Sequence, residues 1–231
     1  MQTIIKSIDK KKIVFFLIVA LIPGRILIAQ DYRYGVYAAP VISWFRTDVE
    51  DVRNKGARAG FVFSISAERR LTDNWHFSSG LAFSTASARL VNADASFFRF
   101  PDYTATVAAG KPVIYRLQYI SMPVGVKIKT SETGYFTYFA EFGLDPKVVI
   151  NGKVDIPSND IKGKGAMTEI RRFNAGYHLT GGAEYSLDGN TSLVLGLGYE
   201  ANIFDITKDF ESQETDRTIH KMLKFIFGIN F

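Results

Sequence analysis

The chain has 231 residues, no cysteine, 28 Lys and Arg against 23 Asp and Glu, and an aromatic content of 14%. The absence of cysteine excludes disulfides, thiolate metal sites and a lipid anchor on a cysteine. Residues 1–29 carry five of the basic side chains and one of the acidic ones, leaving 23 against 22, net +1, in the rest. The basic character therefore belongs largely to the leader, and charge gives no ground for a nucleic-acid partner.

Lys6, Lys10, Lys11 and Lys12 precede an unbroken apolar run, Ile13 to Ile22, which Pro23, Gly24 and Arg25 end. A basic start, a short apolar core and Ala29 before Gln30 read as a cleaved secretory signal peptide over 1–29. The run falls short of the roughly 20 residues that a spanning helix needs. The alternative is an uncleaved N-terminal anchor. Residues 30–231 suit one domain.

Beyond the leader no window keeps a helical period, and eight windows alternate with a period of two. They are Tyr32 to Phe45, Ala57 to Arg70, Asn74 to Leu90, Val113 to Lys129, Gly134 to Val149, Ile170 to Leu187, Thr191 to Phe204 and Thr218 to Phe231. One face of each is apolar and large, as in Phe61, Phe63 and Ile65. The other is small or polar, as in Val62, Ser64, Ser66 and Glu68. In the fourth window Tyr115, Leu117 and Tyr119 read as out of phase with Met122, Val124, Val126 and Ile128. Pro123 cannot donate to a ladder, so a bulge is expected there.

The connections alternate in length. Leu71 to Asp73, Thr130 to Thr133 and Asp188 to Asn190 are tight, and Asp-Gly is a hairpin signal. Arg46 to Gly56, Val91 to Pro112, Ile150 to Glu169 and Asp205 to Arg217 are long and polar. An even strand number, short turns at one end and long loops at the other predict an all-β, eight-stranded antiparallel transmembrane β-barrel of the outer membrane. A soluble lipocalin-like barrel would show the same period with opposite burial. Aromatics cluster at both expected rims: Trp75, Phe77, Tyr135, Tyr138, Tyr185 and Phe231 on the periplasmic side; Trp44, Phe45, Phe61, Tyr199 and Phe204 on the outer side.

The eighth strand sets Leu223, Phe225, Phe227, Ile229 and Phe231 on one face. It is expected to close the ring against the strand starting near Tyr32. Phe227, Ile229 and Phe231 are the expected insertion signal, read by the barrel-insertion machinery. The inward faces hold Arg58, Glu68, Lys127, Glu141, Asp145, Glu184, Glu200 and Lys224, with His76, His178 and His220. From these, Glu68, Lys127, Glu141, Glu184, Glu200 and Lys224 are the expected polar network of the lumen. An eight-stranded bore is just wide enough to be filled by side chains, so a satisfied polar plug is expected; the alternative is a proton or ion path.

No catalytic, cofactor-binding or metal-binding residue is expected. The three histidines lack ligand spacing. His220 with Glu211 and Ser212 would be the only hydrolase-like grouping. Lys162-Gly163-Lys164-Gly165 lacks the helix that a phosphate loop needs. The acidic loop with Asp205, Asp209, Glu211, Glu214 and Asp216 matches no EF-hand spacing.

The segment LQYISMPVGVKIK at Leu117 to Lys129, with the following GYFTYFAEFGL, resembles the core of the PorT-like outer-membrane β-barrel family of Gram-negative bacteria. The likeness extends loosely to AGYHLTGGAEYSL and LGLGYE. The resemblance implies an eight-stranded barrel in the outer membrane. The family's namesake serves a secretion system for surface proteins. The expected function is an integral, non-enzymatic barrel acting structurally or through its outer loops. The alternatives are a narrow channel or transporter, a secretion accessory, and a lipid-modifying enzyme. Expected partners are outer-membrane lipid, the insertion machinery and a protein at the outer loops, with no nucleic acid and no cofactor.

Overall fold

The structure, a computed structural model, describes residues 32–47, 52–100, 102–206 and 218–231. The leader over 1–29 and most of the acidic loop, with Asp209, Glu211, Ser212, Glu214 and Asp216, lie outside the described residues. Among the described residues the strands are β1 (Tyr32–Thr47), β2 (Val52–Arg70), β3 (Trp75–Asn92), β4 (Ser96–Arg99), β5 (Thr104–Val107), β6 (Pro112–Ser121), β7 (Val124–Lys129), β8 (Phe136–Ile156), β9 (Ile161–Gly165), β10 (Phe173–Ser186), β11 (Ser192–Asn202) and β12 (Thr218–Asn230). A single 3₁₀ turn, Pro157–Asn159, separates β8 from β9.

Antiparallel pairing runs β1, β2, β3, then β6 with β7, then β8, β10, β11 and β12, and β12 pairs back onto β1. β6 and β7 together occupy one place in the ring, so this is a closed eight-membered barrel. Closure leaves no sheet edge in the apolar layer, where an unpaired amide would cost several kcal/mol. β4 and β5 form a separate hairpin, and β9 folds back on the outer end of β8.

Alternation decides what each wall faces. Phe61, Phe63, Ile65, Leu81, Phe142, Leu144, Leu195, Leu197 and Phe227 are exposed, whereas Val62, Ala82, Val194 and Met222 between them are buried. The period-two pattern is thus apolar outward, as lipid requires. The aromatics expected at the periplasmic rim, Trp75, Phe77, Tyr135, Tyr138, Tyr185 and Phe231, are all exposed. Phe45 departs from its expected place at the outer rim: it is 1% exposed and points into the bore.

The expected bulge at Pro123 does not occur. Ala82 pairs with Ser121 and Ser79 with Val124, while Ser121 pairs with Lys147 and Val124 with Leu144, so register runs unchanged across Pro123 on both sides. The proline only removes one ladder donor. Tyr115, Leu117 and Tyr119 do lie on the face opposite to Met122, Val126 and Ile128, but with no bulge between: they point inward, because the outer half of the bore is apolar. The real irregularity lies between Gln118 and Tyr119, where β8 carries the extra residue.

The connections are less loop-like than their polar composition suggests. β8 continues to Ile156, and the hairpin β4–β5 occupies the third connection. Both place apolar side chains inward. Turns at the other end are short: Thr133 and Phe136 bridge the β7–β8 turn, where Gly134 takes φ 65°, a conformation that side-chain-bearing residues resist.

Candidate functional site

The bore is filled in two layers of opposite chemistry. In its outer half Phe45, Tyr115, Leu117, Tyr119, Val149, Val154 and Ile156 from the ring meet Phe98, Phe100 and Val107 from the β4–β5 hairpin, with Ala166, Ile170 and Ile206 from the other connections. These form one continuous apolar cluster. Phe98 and Phe100 meet as tilted rings at 4.9 Å and Phe45 leans on Tyr115 at 5.8 Å. The loops are folded down as a stopper.

His220, expected near the outer end of the last strand, is 1% exposed inside this stopper. Its ring stacks on Tyr119 at 5.8 Å and meets Phe45 edge-on at 5.6 Å. Glu211 and Ser212 lie outside the described residues.

The inner half is charged. Arg33 reaches Glu184 at 3.1 Å, and Lys129 bridges Glu184 at 2.7 Å and Glu68 at 2.6 Å. Lys127 pairs with Glu68 and stands 3.2 Å from Glu141. Ser78 donates to Glu141 at 2.6 Å. The His178 ring bonds to Asp145 through Nδ1 at 2.8 Å, with Nε2 3.5 Å from Glu141. A second group has Glu200 between Lys147 and Lys224, with Lys147 also donating to Asn202 at 3.0 Å.

Register explains part of this. Lys127 and Glu141 are direct partners on β7 and β8, and Gly143 lies opposite His178 on β8 and β10. The remaining contacts are chords. Glu68 on β2 reaches Lys127 on β7 across β3, whose inward side chains at this level are His76, opposite Lys127, and the small Ser78. Lys129 on β7 reaches Glu184 on β10 across β8.

All six residues expected as the lumen network, Glu68, Lys127, Glu141, Glu184, Glu200 and Lys224, take part in these ion pairs, in two groups. Arg33, Lys129 and Lys147 were missed. Lys129 and Lys147 could have been found from period two, since each follows Lys127 and Asp145 by two positions. Arg58, expected inward, is close enough to the outward Asp155 to act on its charge.

Five cations (Arg33, Lys127, Lys129, Lys147, Lys224) and the His178 ring meet five carboxylates (Glu68, Glu141, Asp145, Glu184, Glu200) in these contacts, Asp145 through His178. Signs alternate along the chain of contacts. A selectivity ring instead gathers one sign around a pore. Between the charges and the small side chains of β2 and β3 lies a cavity of about 120 Å³, lined by Ser64, Ser66, Ser78, Ser84, Lys127 and Glu141 among others. Several waters fit, each needing roughly 10–15 Å³. Among the described residues no group of three or more His, Asp or Glu side chains is arranged to hold a metal ion.

Residues 28–208 match the family described as outer membrane protein beta-barrel domain. No curated protein matches the sequence. Among solved structures, Neisserial surface protein A is similar at 14% identity, covering 86% of this chain and 95% of that one, with a TM-score of 0.48. OprG from Pseudomonas aeruginosa is similar at 10% identity, covering 87% and 95%, with a TM-score of 0.45. The outer membrane protease OmpT from Escherichia coli is similar at 8% identity, covering 90% and 99%, with a TM-score of 0.47.

Proposed function

The chain belongs to the outer membrane protein beta-barrel domain family, and on that premise we propose that it is a closed, non-enzymatic barrel whose outer end serves as a structural or interaction surface. One observation carries this reading: the apolar stopper around Phe45, Leu117 and Tyr119 fills the bore above the ion-paired layer. A hydrated ion crossing it would lose its water to an apolar layer, at a cost of many kcal/mol. The charged layer below alternates in sign and pairs its charges with one another.

Planar-bilayer recording tests this. The purified protein is expected to give no steady conductance; stable open-channel currents would refute the closed reading. The cavity beside Ser64 and Ser84 favours a second reading, a narrow channel with a hydrated midsection. The same recording discriminates the two.

Two finer points complete the proposal. The chain is exported through the cleaved leader at 1–29, a reading supported by its basic start and apolar run. It sits with the PorT-like barrels, supported by the resemblance of Leu117 to Lys129 and of the strand after it. A secretion accessory would co-purify with secretion components from cross-linked cells, and recovery of none counts against that role.

A further inference from the structure

The outward face of β3, β6, β7 and β8 changes chemistry at one level. Below it stand Phe77, Leu81 and Phe83; Ile128, Val126, Met122 and Ile120; and Phe142, Leu144, Val148 and Ile150, all exposed. The next outward rank is Thr85, Gln118 and Asn151, each opposite the next, with Asn151 donating to Gln118 at 3.1 Å. The rank above is Ser87, Arg116 and Lys153, again each opposite the next. Arg89 stands one outward position beyond Ser87, and Arg58 on β2 acts on Asp155 beside Arg116.

Height places this rank. From Trp75 to Phe83 the outward face climbs roughly 20 Å along the barrel axis, for a rise of about 3.4 Å per residue and a tilt of about 40°. That is close to the apolar band of about 25 Å that such barrels show. The cations therefore begin where acyl chains end and headgroups start.

The patch also carries a like-charge repulsion that one carboxylate relieves only in part. Arg116 and Lys153 are direct cross-strand partners of like charge, an arrangement that destabilises a sheet. Asp155 pairs with Arg116 and is also held by the Gly163 amide at 2.6 Å. Among the described residues Arg58, Arg89 and Lys153 have no ion-pair partner. Four cations thus stand at the headgroup level with one carboxylate, Asp155, which pairs with Arg116.

We infer that Arg58, Arg89, Arg116 and Lys153 form a binding site for the phosphorylated headgroup of an outer-leaflet lipid. Guanidinium forks match phosphate oxygens two at a time. The occupant is a lipid because an anion at this height is presented by chains lying on the apolar belt directly beneath. The inference shares with the reading above only the orientation, long connections outward. It does not depend on a closed bore, so a conducting barrel would leave it untouched.

The test uses the full protein in phosphatidylcholine nanodiscs carrying a minor share of lipid A, with retained lipid counted by native mass spectrometry. Wild type is expected to keep lipid A over phosphatidylcholine. The R58Q/R89Q/R116Q/K153Q variant should lose about tenfold or more of that retention, while K111Q/K162Q, which removes exposed cations elsewhere, should lose none. Equal retention by the quadruple variant overturns the site. Release of lipid A by millimolar inorganic phosphate overturns the lipid assignment in favour of free phosphate. Should the quadruple variant fail to fold, R89K/R116K keeps the charge and removes the forks; it is expected to retain severalfold less lipid A, and undiminished retention counts against the site.

Discussion

Phe231 and Tyr34 exchange both backbone hydrogen bonds, Phe231 N–H to Tyr34 O at 2.8 Å and Tyr34 N–H to Phe231 O at 3.2 Å. This pair lies at the short-turn end of the seam where β12 meets β1, in a register that runs from Gly35 opposite Asn230 to Thr47 opposite Thr218. Phe227, Ile229 and Phe231 all face outward from it.

Polar substitution on that face should therefore impair assembly. Phe231→Ser, and more so F227S/I229S, is expected to lower the fraction of chain that migrates as a compact band before boiling. Phe173→Ser provides the comparison, since Phe173 is equally outward and 77% exposed at the other end of β10. An equal loss in both would remove any special role for the seam.

Lys129 is the bridge of the charged layer. Lys129→Met leaves Glu68 and Glu184 facing one another, both 2% exposed. Removing one member of such a buried pair costs about 3–5 kcal/mol. Urea unfolding in detergent micelles measures it. Adding Glu68→Gln to Lys129→Met should restore part of the loss, because the surplus negative charge is gone while Lys127 keeps Glu141 and Glu184 keeps Arg33.

The stopper and the charged layer should fail independently. Leu117 is 1% exposed at the centre of the apolar cluster. Leu117→Ala should cost about 2–5 kcal/mol and still give no steady current, since the ion-paired layer below it is unchanged. Current through this variant would show that the stopper alone holds the bore shut.

Gly228 leaves room for the Tyr37 ring, whose hydroxyl bonds to Asn230 at 2.5 Å; a Cβ at 228 would stand 2.1 Å from Tyr37 Cδ1. Gly228→Ala should cost about 1–3 kcal/mol by forcing that ring aside. In the Tyr37→Ala background the same change should cost much less, because the clash has no partner left. Additive losses in urea unfolding would dismiss the packing explanation.

The β10–β11 turn has its own pH response. The amides of Thr191 at 2.8 Å and Asn190 at 3.2 Å donate to the Asp188 carboxylate and hold its pKa below the ordinary aspartate value. A lowered folded pKa means the contribution is full above the ordinary carboxylate range. It is lost as pH falls from there through the lowered value. Amide exchange at Thr191 should accelerate over that window, and Asp188→Asn should flatten the response.

Much of the ring was legible in advance because lipid imposes a period of two on every wall and because Asp188-Gly189 marks a hairpin. What the outer half contains was not. Val154, Ile156, Phe98 and Val107 sit in connections that read as polar by composition, yet each is buried. A period of two fixes the side a residue faces, and only the fold shows which long connections turn inward. The same limit hid the chords: Glu68 and Lys127 are far apart in sequence and not on adjacent strands. Tyr115 and Tyr119 misled for a related reason, since an aromatic on an inward position looks like a lipid-facing one until the bore proves oily there.

The chords that join β2 to β7 and β7 to β10 skip a strand each time, so no pair of neighbouring strands can form them alone. In an open or half-curled sheet Glu68, Lys129 and Glu184 would each be desolvated without a counter-charge. Curling of this arc of strands and neutralisation of its charges are therefore coupled. Such a barrel is expected to resist peeling strand by strand, so that its persistence depends on an unfolding barrier as well as on the depth of its minimum.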